Sequence, residues 1–215
     1  MGYRYDSLAP GEIYHVYTRG VEQRDLFLAD SDRQRFLALL LHCLPQGPIQ
    51  SYSLAQRSGV AARLPAAGNG LVDLLCYCLM TNHVHLLIRE NVAGGTSLYM
   101  RRLLTSYACY FNRKRERSGS LFLHPFKATL VDEDEQFLHL SRYIHLNPYV
   151  AHIIEDPFDY QWSSLRNYTG PWLSLISCHD TLLSDLMKPR EYRAFVTDEA
   201  DYARSLADIQ HLVID

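Results

Sequence analysis

The sequence predicts an α+β fold built on a four-stranded antiparallel sheet, and three observations carry that expectation. The first is a central pair of apolar runs, Leu74 to Leu79 and Val84 to Ile88, joined by the polar pair Thr81-Asn82. Runs of that length, rich in Leu, Val, Ile and Tyr and broken by a turn signal, make a β-hairpin. The second is a pair of outer β-branched and aromatic segments, Ile13 to Thr18 and Phe126 to Val131, one on each side of the hairpin. The third is a segment of helical periodicity between each outer strand and the hairpin. The order is strand, helix, strand, strand, helix, strand: the ferredoxin-like βαββαβ pattern, with two helices on one face of the sheet.

Each element has a local cause. Residues 1–11 are a polar lead ending in the turn pair Pro10-Gly11, and the first strand stops at Arg19-Gly20. An arginine beside a glycine at a strand end can meet a phosphate where the backbone approaches closely; the plainer alternative is a solvated loop arginine. Asp30 or Ser31 can cap a helix over residues 32–44, with Phe36, Leu37, Leu40, Leu41 and Leu44 on its apolar face and Pro45 as its stop. Residues 45–70 are rich in Pro and Gly and poor in large apolar groups, which predicts a long loop.

After the hairpin, Gly94-Gly95 precede Thr96 and Ser97, which can cap a second helix with Met100, Leu103, Leu104, Tyr107 and Phe111 as its buried stripe. Its C-terminal turns carry Arg113, Lys114, Arg115 and Arg117, and Gly119 ends it. Cations there suit the helix dipole even without a ligand. On the last strand Lys127 and Thr129 share a face. A third helix starts near Asp134, and Phe137, Leu140 and Ile144 form its apolar stripe. Gln136, His139, Tyr143 and Asn147 recur at spacings of three and four and form a second, polar face. Pro148 is expected to end or kink this helix.

Chemistry concentrates on the hairpin. His83 and His85 are two residues apart, so on a strand both imidazoles point one way, while Val84 points into the opposite layer. Two neutral imidazoles on a rigid strand make most of a metal site. They could equally be surface histidines, or core histidines satisfied by carbonyls. A zinc alternative adds Cys76 and Cys78, which also share a face, although four ligands on a flat hairpin do not readily close into a tetrahedron.

Composition narrows the classes. Hydrophobic content of 47% with 21% charged residues describes an ordinary soluble globular chain. No run of eighteen apolar residues exists and no signal-peptide core is evident, so no membrane partner and a cytoplasmic location are expected. The five cysteines lack framework spacing, which points to free thiols. A net charge of −3 argues against broad coating of duplex nucleic acid but leaves room for a local basic groove.

Five segments in fixed order carry a resemblance. YHVYTRG at Tyr14–Gly20, CLMTNHVHLLI at Cys78–Ile88, YFNRKRERSGSLF at Tyr110–Phe122, YIHLNP at Tyr143–Pro148 and WSS at Trp162–Ser164 together resemble the single-tyrosine HUH transposases, IS200-like, and most closely their REP-associated tyrosine transposase branch. The resemblance covers roughly residues 9–165, so an HUH domain over 1–165 and a C-terminal extension over 166–215 are expected. It implies a ferredoxin-like fold with an additional catalytic helix. It also implies cleavage of single-stranded DNA beside an imperfect hairpin, with a divalent metal and one tyrosine.

By that likeness His83 and His85 would bind the metal, Asn147 would supply a third ligand and Tyr143 would be the nucleophile. Thr18 departs from the asparagine that relatives often carry there, and the 45–70 loop is a second departure. Arg19, Arg113, Lys114, Arg115 and Lys127 are the candidate DNA contacts. Imidazole and amide ligands with open positions accommodate Mg²⁺ or Mn²⁺. The tyrosine would form a 5′-phosphotyrosine and free a 3′-hydroxyl, so rejoining needs no ATP. The family contains both dimers and monomers, so a homodimer is possible. The alternative is a non-catalytic hairpin-binding module of the RRM type, using Tyr14 and Tyr77 as stacking platforms.

Overall fold

The computed structural model describes residues 8–59, 65–123, 125–169, 186–201 and 203–204. Its sheet has strands β1 (Ile13–Arg19), β2 (Val72–Leu79), β3 (His83–Glu90) and β4 (Lys127–Val131), all antiparallel neighbours in the order β2-β3-β1-β4. The hairpin joins β2 to β3, and β1 is inserted between β3 and β4. This is the expected βαββαβ arrangement.

Strand alternation divides the side chains between two layers. Tyr14, Val16, Val84, Leu86 and Ile88 face one way and are at most 5% exposed. Helices α1 (Asp30–His42) and α3 (Gly95–Lys114) cover them, tied together by the Tyr99 hydroxyl donating to the Leu40 carbonyl at 3.0 Å. Glu90 fixes which face α3 takes. It shares the Val84 side of β3, and its carboxylate accepts from the Gly94 and Thr96 amides at 2.9 and 3.2 Å. Each fully buried Leu or Phe in this layer contributes about 1.5–3 kcal/mol of transfer free energy.

The opposite face carries His15, Tyr17, Cys76, Cys78, His83, His85 and Leu87. Helix α4 (Asp134–Val150) crosses it, packing Phe137 and Ile144 inward at 2% and 0% exposure. All eight residues of β2 are buried, because this strand is covered on both faces. That explains its unbroken apolar run. Short helix α5 (Leu165–Thr169) and helix α6 (Pro189–Thr197) back α4. The Tyr192 hydroxyl of α6 lies 2.8 Å from His145 Nδ1 and 2.9 Å from Ser141 Oγ, and Arg142 pairs with Glu199 at 3.0 Å. Tyr192 and Glu199 thus tie this C-terminal segment to the helix that bears Tyr143. No helix among the described residues is long and apolar enough to cross a membrane.

Several boundaries differ from expectation, each for a physical reason. Helix α1 begins at Asp30 rather than 32, because the Asp32 carboxylate reaches back to the Leu28 and Ala29 amides, both at 3.1 Å. Helix α3 is opened by Gly94 in the left-handed region (φ 73°) and capped by Glu90, not by Thr96 or Ser97. It ends at Lys114, before Gly119, where the Arg117 guanidinium gathers the Asn112 side chain and the Ser120 carbonyl. The 45–70 loop holds helix α2 (Tyr52–Arg57) and a bridge between Pro45 and Gly70. Pro148 neither ends nor breaks α4. It lies in the last turn, where Ala151 still closes onto Asn147 at 3.0 Å.

Asp32 also claims two of the predicted DNA contacts. Its side chain has 0% exposure and accepts from Lys114 at 2.6 Å and Arg115 at 3.0 Å, with the Tyr110 hydroxyl also at 3.0 Å. Burial alone would raise its pKa, but the bonds from Lys114, Tyr110, Arg115 and the Leu28 amide outweigh it and hold the carboxyl below the usual range. A depressed folded-state value stabilises the fold above the unfolded value of about 3.9, and that stability is lost as pH falls through the folded value. Asp32→Asn is expected to cost about 2 kcal/mol at pH 7. In urea unfolding the gap between variant and parent should close as the pH drops toward 3; a gap independent of pH would remove the charge from this account.

Candidate active site

The groove between the sheet and α4 is lined by His15, Tyr17, Arg19, His83, His85, Lys127, Tyr143 and Asn147 among others, with a volume of about 580 Å³. That is the size range of a ligand pocket. Four segments far apart in sequence meet here because the sheet interleaves them. Register sets Arg19 opposite His83, and Tyr17 opposite both His85 and Lys127.

The histidine pair has a defined environment. The rings of His83 and His85 lie 4.9 Å apart, edge to face. His83 Nδ1 is 2.7 Å from the Asn82 Oδ1 acceptor, so Nδ1 carries the proton and Nε2 keeps its lone pair. His85 Nδ1 is 2.9 Å from His15 Nε2, which likewise leaves His85 Nε2 uncommitted. Burial, aided by the positive field of Arg19, pushes His83 down to about 4. Burial pushes His85 down to about 2, with His15, His83 and Arg19 adding to the effect. Both are neutral at pH 7, the state a metal ligand requires.

Helix α4 supplies the rest. Its polar face divides: Gln136 accepts from the Asp132 amide at 3.2 Å and His139 contacts Arg142 at 2.8 Å, while Tyr143 and Asn147 reach the groove. Tyr143 is 54% exposed, with its ring 5.9 Å from that of His85. Its hydroxyl makes no hydrogen bond among the described residues. Asn147 donates its amide N–H to the Tyr143 carbonyl at 2.8 Å, which leaves Oδ1 as an acceptor. Among the described residues no three His, Cys, Asp or Glu side chains form a metal cage. Two neutral Nε2 lone pairs and a hard amide oxygen nevertheless suit a partly open site.

The zinc alternative fails on geometry. Cys76 Sγ lies 3.2 Å from His145 Nε2, and Cys78 Sγ lies 3.7 Å from Met80 Sδ. Both thiols are fully buried beneath α4 and the 160–164 segment, and burial pushes them well above the ordinary thiol value.

Of the other predicted contacts, the structure brings Arg19 and Lys127 to the groove; Lys127 Nζ sits 5.6 Å over the Tyr17 ring. Arg113, Lys114 and Arg115 are not among the groove's residues. Gly20 has a steric role: a Cβ there would collide with the Arg24 carbonyl oxygen and displace the turn that follows Arg19. His15 and Tyr17 escaped the sequence reading. Their rings stack on His85 at 5.1 and 6.1 Å. Alternation puts them on one face with Arg19, but only the β1–β3 register sets Tyr17 opposite His85 and brings both rings against it.

Residues 66–147, from before the hairpin to Asn147, match a family model described as Transposase IS200 like. The match spans β2, β3, α3, β4 and α4 as far as Asn147. The structure of a REP-associated tyrosine transposase, solved bound to a REP hairpin, superposes with a TM-score of 0.55 at 11% identity, covering 83% of this chain and 96% of that one. At such identity the likeness shows the fold. No curated protein sequence matches the chain significantly.

Proposed function

We propose that the protein is an IS200-like, single-tyrosine transposase that cuts and rejoins single-stranded DNA beside a hairpin. The observation that carries this reading is one groove holding Tyr143, exposed on α4, next to His83, His85 and Asn147. His83, His85 and Asn147 would hold a divalent ion, Mg²⁺ or Mn²⁺. When bound, such an ion supplies Lewis-acid polarisation of the scissile phosphate.

The chain's own groups do the rest. Arg19 and Lys127 neutralise flanking phosphates, and the sheet face bearing His15 and Tyr17 sets the floor on which the strand lies. Tyr143 Oη attacks phosphorus: one Oη–P bond forms, one P–O3′ bond breaks, the phenol loses its proton and the departing 3′ oxygen gains one. The number of phosphodiester bonds is conserved, so the step is reversible by an incoming 3′-hydroxyl. The stacking-platform alternative loses its residues, because Tyr14 and Tyr77 are buried at 5% and 3% exposure.

Polarity gives the test. Single-stranded oligonucleotides from the gene's own flanks, labelled at the 3′ end, should transfer label to the protein in denaturing gels, whereas 5′-labelled copies should release a shortened product with a 3′-hydroxyl. Label transfer from the 5′ end would reverse the assigned polarity, and absence of any adduct across the flanks would sink the reading.

A further inference from the structure

Each strand histidine touches one neighbouring side chain through Nδ1, the ring nitrogen opposite the one left to ligate. His85 meets His15 across the β1–β3 pair. His15 is registered with Leu87, so His85 is its diagonal neighbour on the same face, within reach of a ring. The two rings are 15° from parallel, with centroids 5.1 Å apart and His15 Nε2 2.9 Å from His85 Nδ1. The offset is so large that the facing nitrogens lie nearly on the line between the centroids. That is the geometry of an N–H···N hydrogen bond.

This bond holds one proton and can run either way. If His15 donates, neutral His85 carries its own proton on Nε2 and cannot ligate through that atom. If His15 accepts, His85 Nε2 keeps its lone pair. Arg19 and Lys127 line the same groove, and their charge favours a lone pair over an N–H on the ring edge turned to it.

His83 has no such choice. Asn82 donates its amide N–H to the Gln23 carbonyl at 3.3 Å, which turns Oδ1, an acceptor only, toward His83 Nδ1 at 2.7 Å. The Asn82 carbonyl in turn accepts from the Gly20 amide at 2.9 Å. An unusual turn presents the Gln23 carbonyl, because Glu22 and Gln23 both lie in the left-handed region, at φ 54° and 56°. Two successive non-glycine residues there are strained, and such strain persists where the surroundings fix it.

We propose that His15 and Asn82 are positioning residues, each fixing the tautomer and ring orientation of one strand histidine so that both Nε2 lone pairs are ready before a divalent ion arrives. The proposal rests on the metal assignment given under Proposed function. It adds that the first strand and the strained turn after it, which supply no ligand, set the affinity of the site.

Metal-free, full-length protein shows the arrangement directly. Long-range proton–nitrogen NMR spectra in EDTA, assigned by comparison with His83→Ala, should place the proton of both His83 and His85 on Nδ1. His85 protonated on Nε2 would overturn the proposal with no variant needed. On the uncleaving Tyr143→Phe background, His15→Phe should weaken Mn²⁺ binding in calorimetry by about 10–100-fold. It should also give His85 mixed tautomers and leave His83 unmoved. His15→Gln, whose amide oxygen reaches as far as an imidazole Nε2, should restore most of both. Asn82→Ala should lower the affinity similarly, but move the signature of His83 and not that of His85.

Parent-like Mn²⁺ affinity in His15→Phe and Asn82→Ala would overturn the proposal. So would a glutamine that fails to restore what phenylalanine removed, since His15 would then act through packing alone. Failure of the nuclease reading looks different. Tautomers and affinities as stated, with no DNA adduct, remove the nuclease and keep the two positioning residues; an adduct with parent-like affinity in both variants does the reverse.

Discussion

Tyr143→Phe is expected to fold, bind hairpin DNA with unchanged affinity and form no covalent adduct. The substitution deletes one oxygen and little volume from a side chain that is 54% exposed and whose hydroxyl has no hydrogen-bond partner among the described residues, so nothing in the fold depends on it. The ring's edge-to-face contact with His85 at 5.9 Å survives in phenylalanine. What disappears is the hydroxyl proposed as the nucleophile. The measurement is label transfer from a 3′-labelled oligonucleotide, beside an anisotropy titration of the same DNA. An adduct formed by the variant at the parent's rate would make another residue the nucleophile. Tyr149 is a poor substitute, being 7% exposed with its hydroxyl committed to Asp201 at 2.7 Å, and Tyr110 is bound to Asp32 on the far side of the sheet.

The second large effect concerns the strand histidines. His83→Ala should abolish cleavage and lower divalent-ion affinity, measured by calorimetry on the uncleaving Tyr143→Phe background so that binding is read apart from turnover. The loss to the fold should be small, about 1 kcal/mol, because the side chain contributes one hydrogen bond, to Asn82. EDTA should mimic the substitution reversibly. Cys76→Ser and Cys78→Ser should leave the ion affinity untouched, since those thiols face His145 and Met80. Full cleavage by His83→Ala would remove the metal assignment, whatever Tyr143 does.

The fold was largely legible in the sequence because its strands and helices are marked locally. The hairpin, the outer strands and the polar face of α4 all follow from periodicity over a few residues. What escaped depends on partners distant in sequence. Nothing within Ile13–Arg19 reveals that His15 and Tyr17 will stack on His85, since that needs the β1–β3 register. Lys114 and Arg115 read as available cations because Asp32 sits more than eighty residues earlier, on another helix. Pro148 misled for the opposite reason: a local rule against proline was overridden by a helix already held by its packing on β2 and α6.

The interleaved strand order carries a consequence for how the chain acquires its activity during synthesis. β1 leaves the ribosome early, yet both of its neighbours, β3 and β4, are made later, and the His15–His85 contact spans 70 positions. The β2–β3 hairpin is the first unit of the sheet able to form from near neighbours, so the two strand histidines are positioned before most of the groove exists. Closing long loops is slow relative to local pairing, and domains mature from the N-terminus as they are translated. Nascent chains arrested before α4 should therefore display an assembled imidazole pair with no phenol beside it, and Tyr143 and Asn147 should be the last residues of the groove to arrive.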